Sequence, residues 1–186
     1  MTDVSQARRT LLRNSDRVNE IVSTFVKYGY SSWVVGVPDQ YRSLLSGLSQ
    51  PEFLELTDGE RLSRACLDLG VTFIKIGQVL STRSDIVGPE IAAAMADLQG
   101  DVPPDPPAVV RATIRAQLGD DVDNLVDDFD EVPLGSASIA QVHAATLHYG
   151  TDVVLKIQHE GVHETIVTDL DILEALAVLA EDADPD

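Results

Sequence analysis

The chain has 186 residues, 31 Asp plus Glu against 13 Lys plus Arg, and a formal charge of −18 at pH 7. That charge argues against binding to nucleic-acid phosphates and against a polybasic contact with anionic lipid. A single cysteine, Cys66, excludes an intramolecular disulfide framework and a cysteine-only zinc site, while 44% hydrophobic residues suffice to bury a core.

The first element expected is a helix. Val18, Ile21, Val22, Phe25 and Val26 recur at helical spacing and make one apolar face. Gly29, Ser31 and Ser32 break it, and Trp33 to Pro38 is a short apolar run that fits either a buried turn or a strand. Thr57-Asp-Gly-Glu60 has the form of a capping box, opening a helix with Leu62, Cys66 and Leu69 on one side. After Gly70 the apolar pattern resumes with Phe73, Ile76, Val79 and Leu80. Gly88-Pro89-Glu90 starts another helix through Ile91, Met95 and Leu98. Residues 101–107, with four prolines, read as a stiff extended linker. Asp105 is expected to cap the next helix, which carries Val109, Val110, Ile114 and Leu118 and closes at Gly119. Residues 120–131 are acidic and read as a solvated face or loop. They lack the ligand order and central glycine of a calcium loop.

From Pro133 the texture changes. Residues 138–147 and 153–158 are β-rich and flank a turn at 148–152, which predicts a hairpin. The tail from Val162 to Glu181 returns to helix, with Ile166, Leu170, Leu173 and Leu176 as its apolar stripe. The expected fold class is α+β and predominantly helical. A helical part at 1–104 is followed by a hairpin part at 105–186. No segment has the form of a signal peptide or a membrane span, so the chain is expected to be cytoplasmic or peripheral to a membrane.

Two constellations could carry chemistry. The small-residue turn Gly135-Ser136-Ala137-Ser138 opens a strand, and Lys156 follows on Val-Val-Leu-Lys. A small-residue turn lets backbone amides approach phosphates, and a strand lysine can reach them, as in a kinase-type nucleotide lobe. The alternative is an ordinary hairpin with an exposed lysine. The loop has one glycine where a kinase loop has three, and Ser136 and Ser138 would crowd a phosphate more than glycine would. The second constellation is Phe73-Ile-Lys-Ile-Gly-Gln78. Buried, Lys75 would need a carboxylate partner; otherwise it snorkels with its head in water. The chain has only three lysines, Lys27, Lys75 and Lys156, against 21 Asp and 10 Glu. Such a composition matches adaptation to high salt. Where lysine persists, it marks places that arginine does not serve.

The stretch FIKIGQVLSTRSDIVGPEI…LQGDVPP resembles the K-x-G-Q signature of the UbiB (AarF) family of atypical kinases. PLGSASIAQVHAA resembles the alanine-rich loop of that family, and VVLKIQHEGV its lysine strand. The resemblance runs from Gly59 to Val162. It implies a protein-kinase-like fold with Mg-ATP binding, linked to isoprenoid quinone (ubiquinone or menaquinone) biosynthesis or lipid handling. By position it makes Gly135, Ser136, Ala137, Ser138 and Lys156 the nucleotide-binding residues. It makes Lys75, Gly77 and Gln78 a regulatory motif over the active site, supported by Ser81, Arg83 and Asp85.

The resemblance also implies what to miss here. No H-x-D…N catalytic loop and no D-F-G metal triplet occur in the sequence, and Asp128-Phe129-Asp130 precedes the lysine strand. Glu164 and Glu174 read as surface carboxylates. The expectation is the N-terminal portion of such a protein, with no catalytic or metal-binding residues of its own and no turnover alone. Its partner would be a C-terminal half or a component of quinone or membrane-lipid metabolism. The alternatives are a non-catalytic protein- or lipid-interaction module and a degenerate remnant.

Overall fold

A computed structural model describes residues 3–31, 50–98, 102–119 and 126–183. The apolar run at Trp33–Pro38 and the first half of the acidic stretch at 120–131 lie outside them. The chain is α+β and predominantly helical. It divides into two compact units, Met1–Leu98 with Thr165–Asp186, and Gln99–Glu164. The last helix therefore groups mostly with the helical unit rather than with the hairpin that precedes it.

The helical unit contains α1 (Val4–Arg13), α2 (Ser15–Lys27), α3 (Pro51–Leu54), α4 (Asp58–Leu69), α5 (Val71–Leu80), α6 (Ser84–Val87) and α7 (Pro89–Ala96). Most of α9 (Val162–Ala183) joins them. Helix α4 begins at the expected capping box: the Thr57 hydroxyl accepts from the Glu60 amide, and Glu60 accepts from the Thr57 amide at 2.9 Å. Two orphan amides are thereby satisfied where the helix starts. The core gathers Ile21, Tyr28, Leu62, Cys66, Leu69, Phe73, Met95, Leu98 and Ile172.

Two apolar stripes differ from the sequence reading. On α5 the buried face is Phe73, Ile74 and Gly77, and Val79 is 64% exposed. Residue 79 lies two positions past Gly77, about 200° round the helix, so it faces away from the contact that Gly77 makes. On α9 the buried side chains include Asp169, Ile172 and Ala175, whereas Leu170 is exposed. The stripe is turned because Asp169, fully buried, receives Arg17 of α2: Nε donates to Oδ1 at 2.7 Å and a terminal nitrogen to Oδ2 at 2.9 Å. The same guanidinium donates to the Leu69 carbonyl at 2.7 Å, at the end of α4.

Burial pushes the Cys66 thiol up to about 11. A thiol held that way is inert, because the thiolate is the reactive species. Cys66 is expected to resist Ellman's reagent in the native protein and to react once urea unfolds it. Rapid stoichiometric labelling of the native chain would contradict this burial.

The second unit contains α8 (Pro107–Leu118) and an antiparallel sheet of β1 (Val126–Phe129), β2 (Gly135–Ser136), β3 (Ala140–Leu147) and β4 (Asp152–Gln158). The expected hairpin is present as β3 and β4, paired from Ala140↔Gln158 to Thr146↔Asp152. β1 and β2 pair with the two ends of β3, along the edge that β4 leaves free. β1 corrects the reading of 120–131 as a loop. Its aspartates hid a short strand, whose register is interrupted by a bulge between Val126 and Asp128. Asp105 is corrected too: Pro106 occupies the N-cap of α8 and no side chain caps that helix. The Asp105 carboxylate turns instead to His159.

Candidate nucleotide site and the lysine–glutamine helix

Alternation along β3 and β4 gives the sheet two faces. One face carries Gln141, His143 and Ala145 of β3, opposite Ile157, Leu155 and Val153 of β4. It is the inner face: Gln141 is 0% and His143 1% exposed. Phe129 stacks on the His143 ring with centroids 4.8 Å apart, and Arg111 of α8 lies over Phe129. The other face carries Val142 and Ala144, opposite Lys156 and Val154. Lys156 and Val154 are exposed.

Register brings two of the expected nucleotide residues together. Gly135 pairs with Val142, and Val142 pairs with Lys156. Directly opposed residues share a face, so the loop glycine and the lysine lie in one row across three strands. Two strand spacings separate them, roughly 10 Å. A Cβ built on Gly135 would meet no atom within 4 Å, so the space above it is open. A phosphate chain over Gly135 would be within reach of the Lys156 ammonium. Val142 and Val154, which the sequence reading did not single out, offer the apolar surface beside that row; their strand pairing is the signal that finds them.

The remaining loop residues differ in what they present. Ala137 is exposed, and its amide donates to the Ala140 carbonyl at 2.9 Å. Ser136 is half-buried, with its hydroxyl 3.4 Å from His159 Nε2. Ser138 is buried, so its hydroxyl does not face the open side of the loop and does not crowd a ligand there. Glu164 is exposed in the first turn of α9, and Glu174 is exposed further along it.

The helical unit holds the second constellation. Lys75 is exposed on α5 and its ammonium donates to Gln78 Oε1 at 2.9 Å. The Gln78 amide nitrogen donates in turn to the Leu98 carbonyl at 2.9 Å. The partner of Lys75 is therefore an amide one helical turn away rather than the carboxylate that burial would have demanded. Gln78 is oriented by the backbone beyond α7, and it orients the lysine. Gly77 makes this contact possible: a Cβ there would stand 2.3 Å from Leu98 Cδ1 and 3.0 Å from Met95 Sδ. Ser81 donates to the Gln78 carbonyl at 2.7 Å, bonding back along its own helix. Arg83 forks onto Asp85 with bonds of 2.8 to 3.2 Å, and this holds the Asp85 carboxyl below the usual carboxylate range. The arrangement presents one cation on a rigid helix, with its tether fixed at both ends.

Among the described residues, no three His, Cys, Asp or Glu side chains are grouped to hold a metal ion. Among the same residues, no helix is long and apolar enough to cross a membrane.

The ABC1 atypical kinase-like domain matches residues 97–186. A probable protein kinase UbiB of Shewanella loihica is 38% identical over 178 residues, 91% of this chain and 32% of that protein. The corresponding protein of Shewanella baltica is 48% identical over 124 residues, 66% of this chain and 23% of its own length. That of Pseudomonas paraeruginosa is 47% identical over 128 residues, 69% of this chain and 24% of its own length. The chain spans about a third or less of the length of these curated relatives.

Proposed function

The chain belongs to the UbiB/ABC1 family of atypical kinase-like proteins, and on that premise we propose that it binds ATP on the outer face of its sheet without turning it over alone. The observation that carries this reading is the row Gly135–Val142–Lys156, which sets an open glycine and a strand lysine on one face. The loop Gly135 to Ser138 would lie along the phosphates. Lys156 would supply a compact ammonium to their oxygens, and Val142 and Val154 would receive the base. ATP itself supplies the transferable phosphoryl group when bound. Phosphoryl transfer depends on electrostatic stabilisation of the moving charge, and no grouped carboxylates for a metal accompany the row among the described residues. The activity belongs to isoprenoid quinone biosynthesis or membrane-lipid handling in this reading.

The test is calorimetric titration with ATP and a turnover assay with magnesium. ATP is expected to bind. Lys156→Ala is expected to weaken binding about tenfold or more, since a charge-assisted hydrogen bond contributes about 1.5–3 kcal/mol. ATP hydrolysis by the chain is expected to stay at background. Magnesium-dependent turnover that Lys156→Ala abolishes would overturn the absence of catalysis; titration heats equal for both proteins would overturn the role of the lysine.

A second reading, a non-catalytic interaction module, is favoured by Val79 and Ile86, which are exposed on and beside the Lys75 helix. In that case Lys156→Ala is silent in cells, and a charge placed at Val79 is not.

A further inference from the structure

His159 follows β4 and is almost fully buried. Its Nδ1 lies 3.0 Å from Asp105 Oδ2, and its Nε2 lies 2.8 Å from the Ala137 carbonyl oxygen. Glu160 adds a backbone amide to the same Asp105 oxygen at 3.4 Å. The chain of contacts continues inward. The Asp105 amide donates to Gln141 Oε1 at 2.7 Å, Gln141 Nε2 lies 2.9 Å from His143 Nε2, and His143 Nδ1 lies 2.7 Å from the Asp130 carbonyl oxygen. Carbonyl oxygens only accept, so His143 donates from Nδ1 and accepts the Gln141 amide hydrogen at Nε2. One unbroken line of hydrogen bonds thus runs from the small-residue loop to the end of β1.

Ser136, His159 and Asp105 stand in the order of a hydrolytic triad, with the hydroxyl 3.4 Å from Nε2. The carbonyl of Ala137 rules that chemistry out. An oxygen without hydrogen, 2.8 Å from Nε2, means that this nitrogen carries the hydrogen of the bond. A nitrogen already protonated cannot take the proton of Ser136. Both ring nitrogens of His159 face acceptors, Asp105 on one side and the Ala137 carbonyl on the other.

We propose that His159, anchored by Asp105, is a positioning residue that braces the small-residue loop from below. A glycine-poor loop cannot reach its working shape through backbone freedom alone. Here the shape is held at the Ala137 carbonyl, on the inner side of the turn, which leaves the outer side open at Gly135. Holding the loop in advance removes an ordering cost at the moment an anion binds. For nucleotide phosphates the consequence rests on the ATP reading above; the brace itself does not.

Amide hydrogen exchange on the whole chain separates the two. His159→Phe keeps a planar ring and removes both ring nitrogens, whereas His159→Arg offers donors to the carboxylate and the carbonyl. In the wild type the Leu134 and Ala137 amides are bonded at 2.7 and 2.9 Å across the loop. In His159→Phe these two are expected to exchange about tenfold faster or more, while the central β3–β4 ladder keeps its protection. His159→Arg is expected to restore them. Unchanged exchange at Leu134 and Ala137 would overturn the brace. So would a uniform rise over the whole sheet that arginine does not reverse. The ATP arm uses ATP itself: His159→Phe is expected to bind about tenfold more weakly than wild type, with recovery in His159→Arg. Equal affinity with a loosened loop would overturn the positioning role. No ATP binding by the wild type, with the exchange result intact, would overturn the nucleotide reading and leave the brace standing.

Discussion

Asp169→Leu is expected to destabilise the helical unit by about 3–5 kcal/mol, the cost of leaving a largely buried charge without its partner. The substitution takes from the Arg17 guanidinium its buried carboxylate and leaves it the exposed Glu20; the Arg17 side chain is 18% exposed against 0% for Asp169. Arg17 ties three helices at one point: Asp169 on α9, the last carbonyl of α4 at Leu69, and Glu20 on its own helix at 2.8 Å. An ion pair buried this far is weak evidence of net stabilisation, because both charges leave water to form it. The sharper expectation concerns the pair of substitutions. Arg17→Met with Asp169→Leu removes both buried charges and leaves the Leu69 carbonyl and the exposed Glu20 carboxylate without Arg17. It should recover about half or more of the loss. Urea unfolding followed by circular dichroism measures both. A single variant within about 0.5 kcal/mol of wild type would mean that the pair is not buried in solution.

Gly77→Val is the second large effect expected, at about 1–3 kcal/mol or somewhat more. A Cβ at this position would stand 2.3 Å from Leu98 Cδ1, and Leu98 is itself buried in the core. Alanine offers a gain of up to about 1 kcal/mol in helix propensity over glycine, so Gly77→Ala should cost less than Gly77→Val. The two diverge more in the lysine tether than in stability. Gln78 reaches the Leu98 carbonyl across the same contact, so pushing Leu98 away removes the bond that orients the Lys75 partner. Thermal melts of the two variants, with exchange of the Gln78 side-chain amide as local readout, check this. A valine variant as stable as wild type, with that amide still protected, would show that Leu98 yields at no cost.

Local chemistry was legible in the sequence; long-range polar contacts were not. The capping box at Thr57 and Glu60 needs only its own four residues, and it stands as read. The β3–β4 hairpin was likewise visible, because its alternation and turn are local. Asp105 looked like a helix cap because aspartate before a proline-led helix usually is one. Its carboxylate goes to His159, 54 positions away, and no local pattern carries that choice. Asp169 was passed over for the same reason. An aspartate within an apolar helix reads as solvent-facing until its partner, 152 positions earlier, is known. β1 was hidden by its aspartates, which are poor strand formers. For the candidate site, the lysine and the small-residue loop were legible as residue types. What the sequence could not supply was register: only the pairing through Val142 places Gly135 and Lys156 in one row.

The central claim is that nucleotide lies along that row. Mapping of amide chemical shifts on the whole chain during titration with ATP tests it most directly. The account predicts shifts at Gly135, Val142, Val154 and Lys156 that saturate together and that weaken in Lys156→Ala. Saturating ATP that moves none of these four, or moves only residues of α5 and α7, would contradict it.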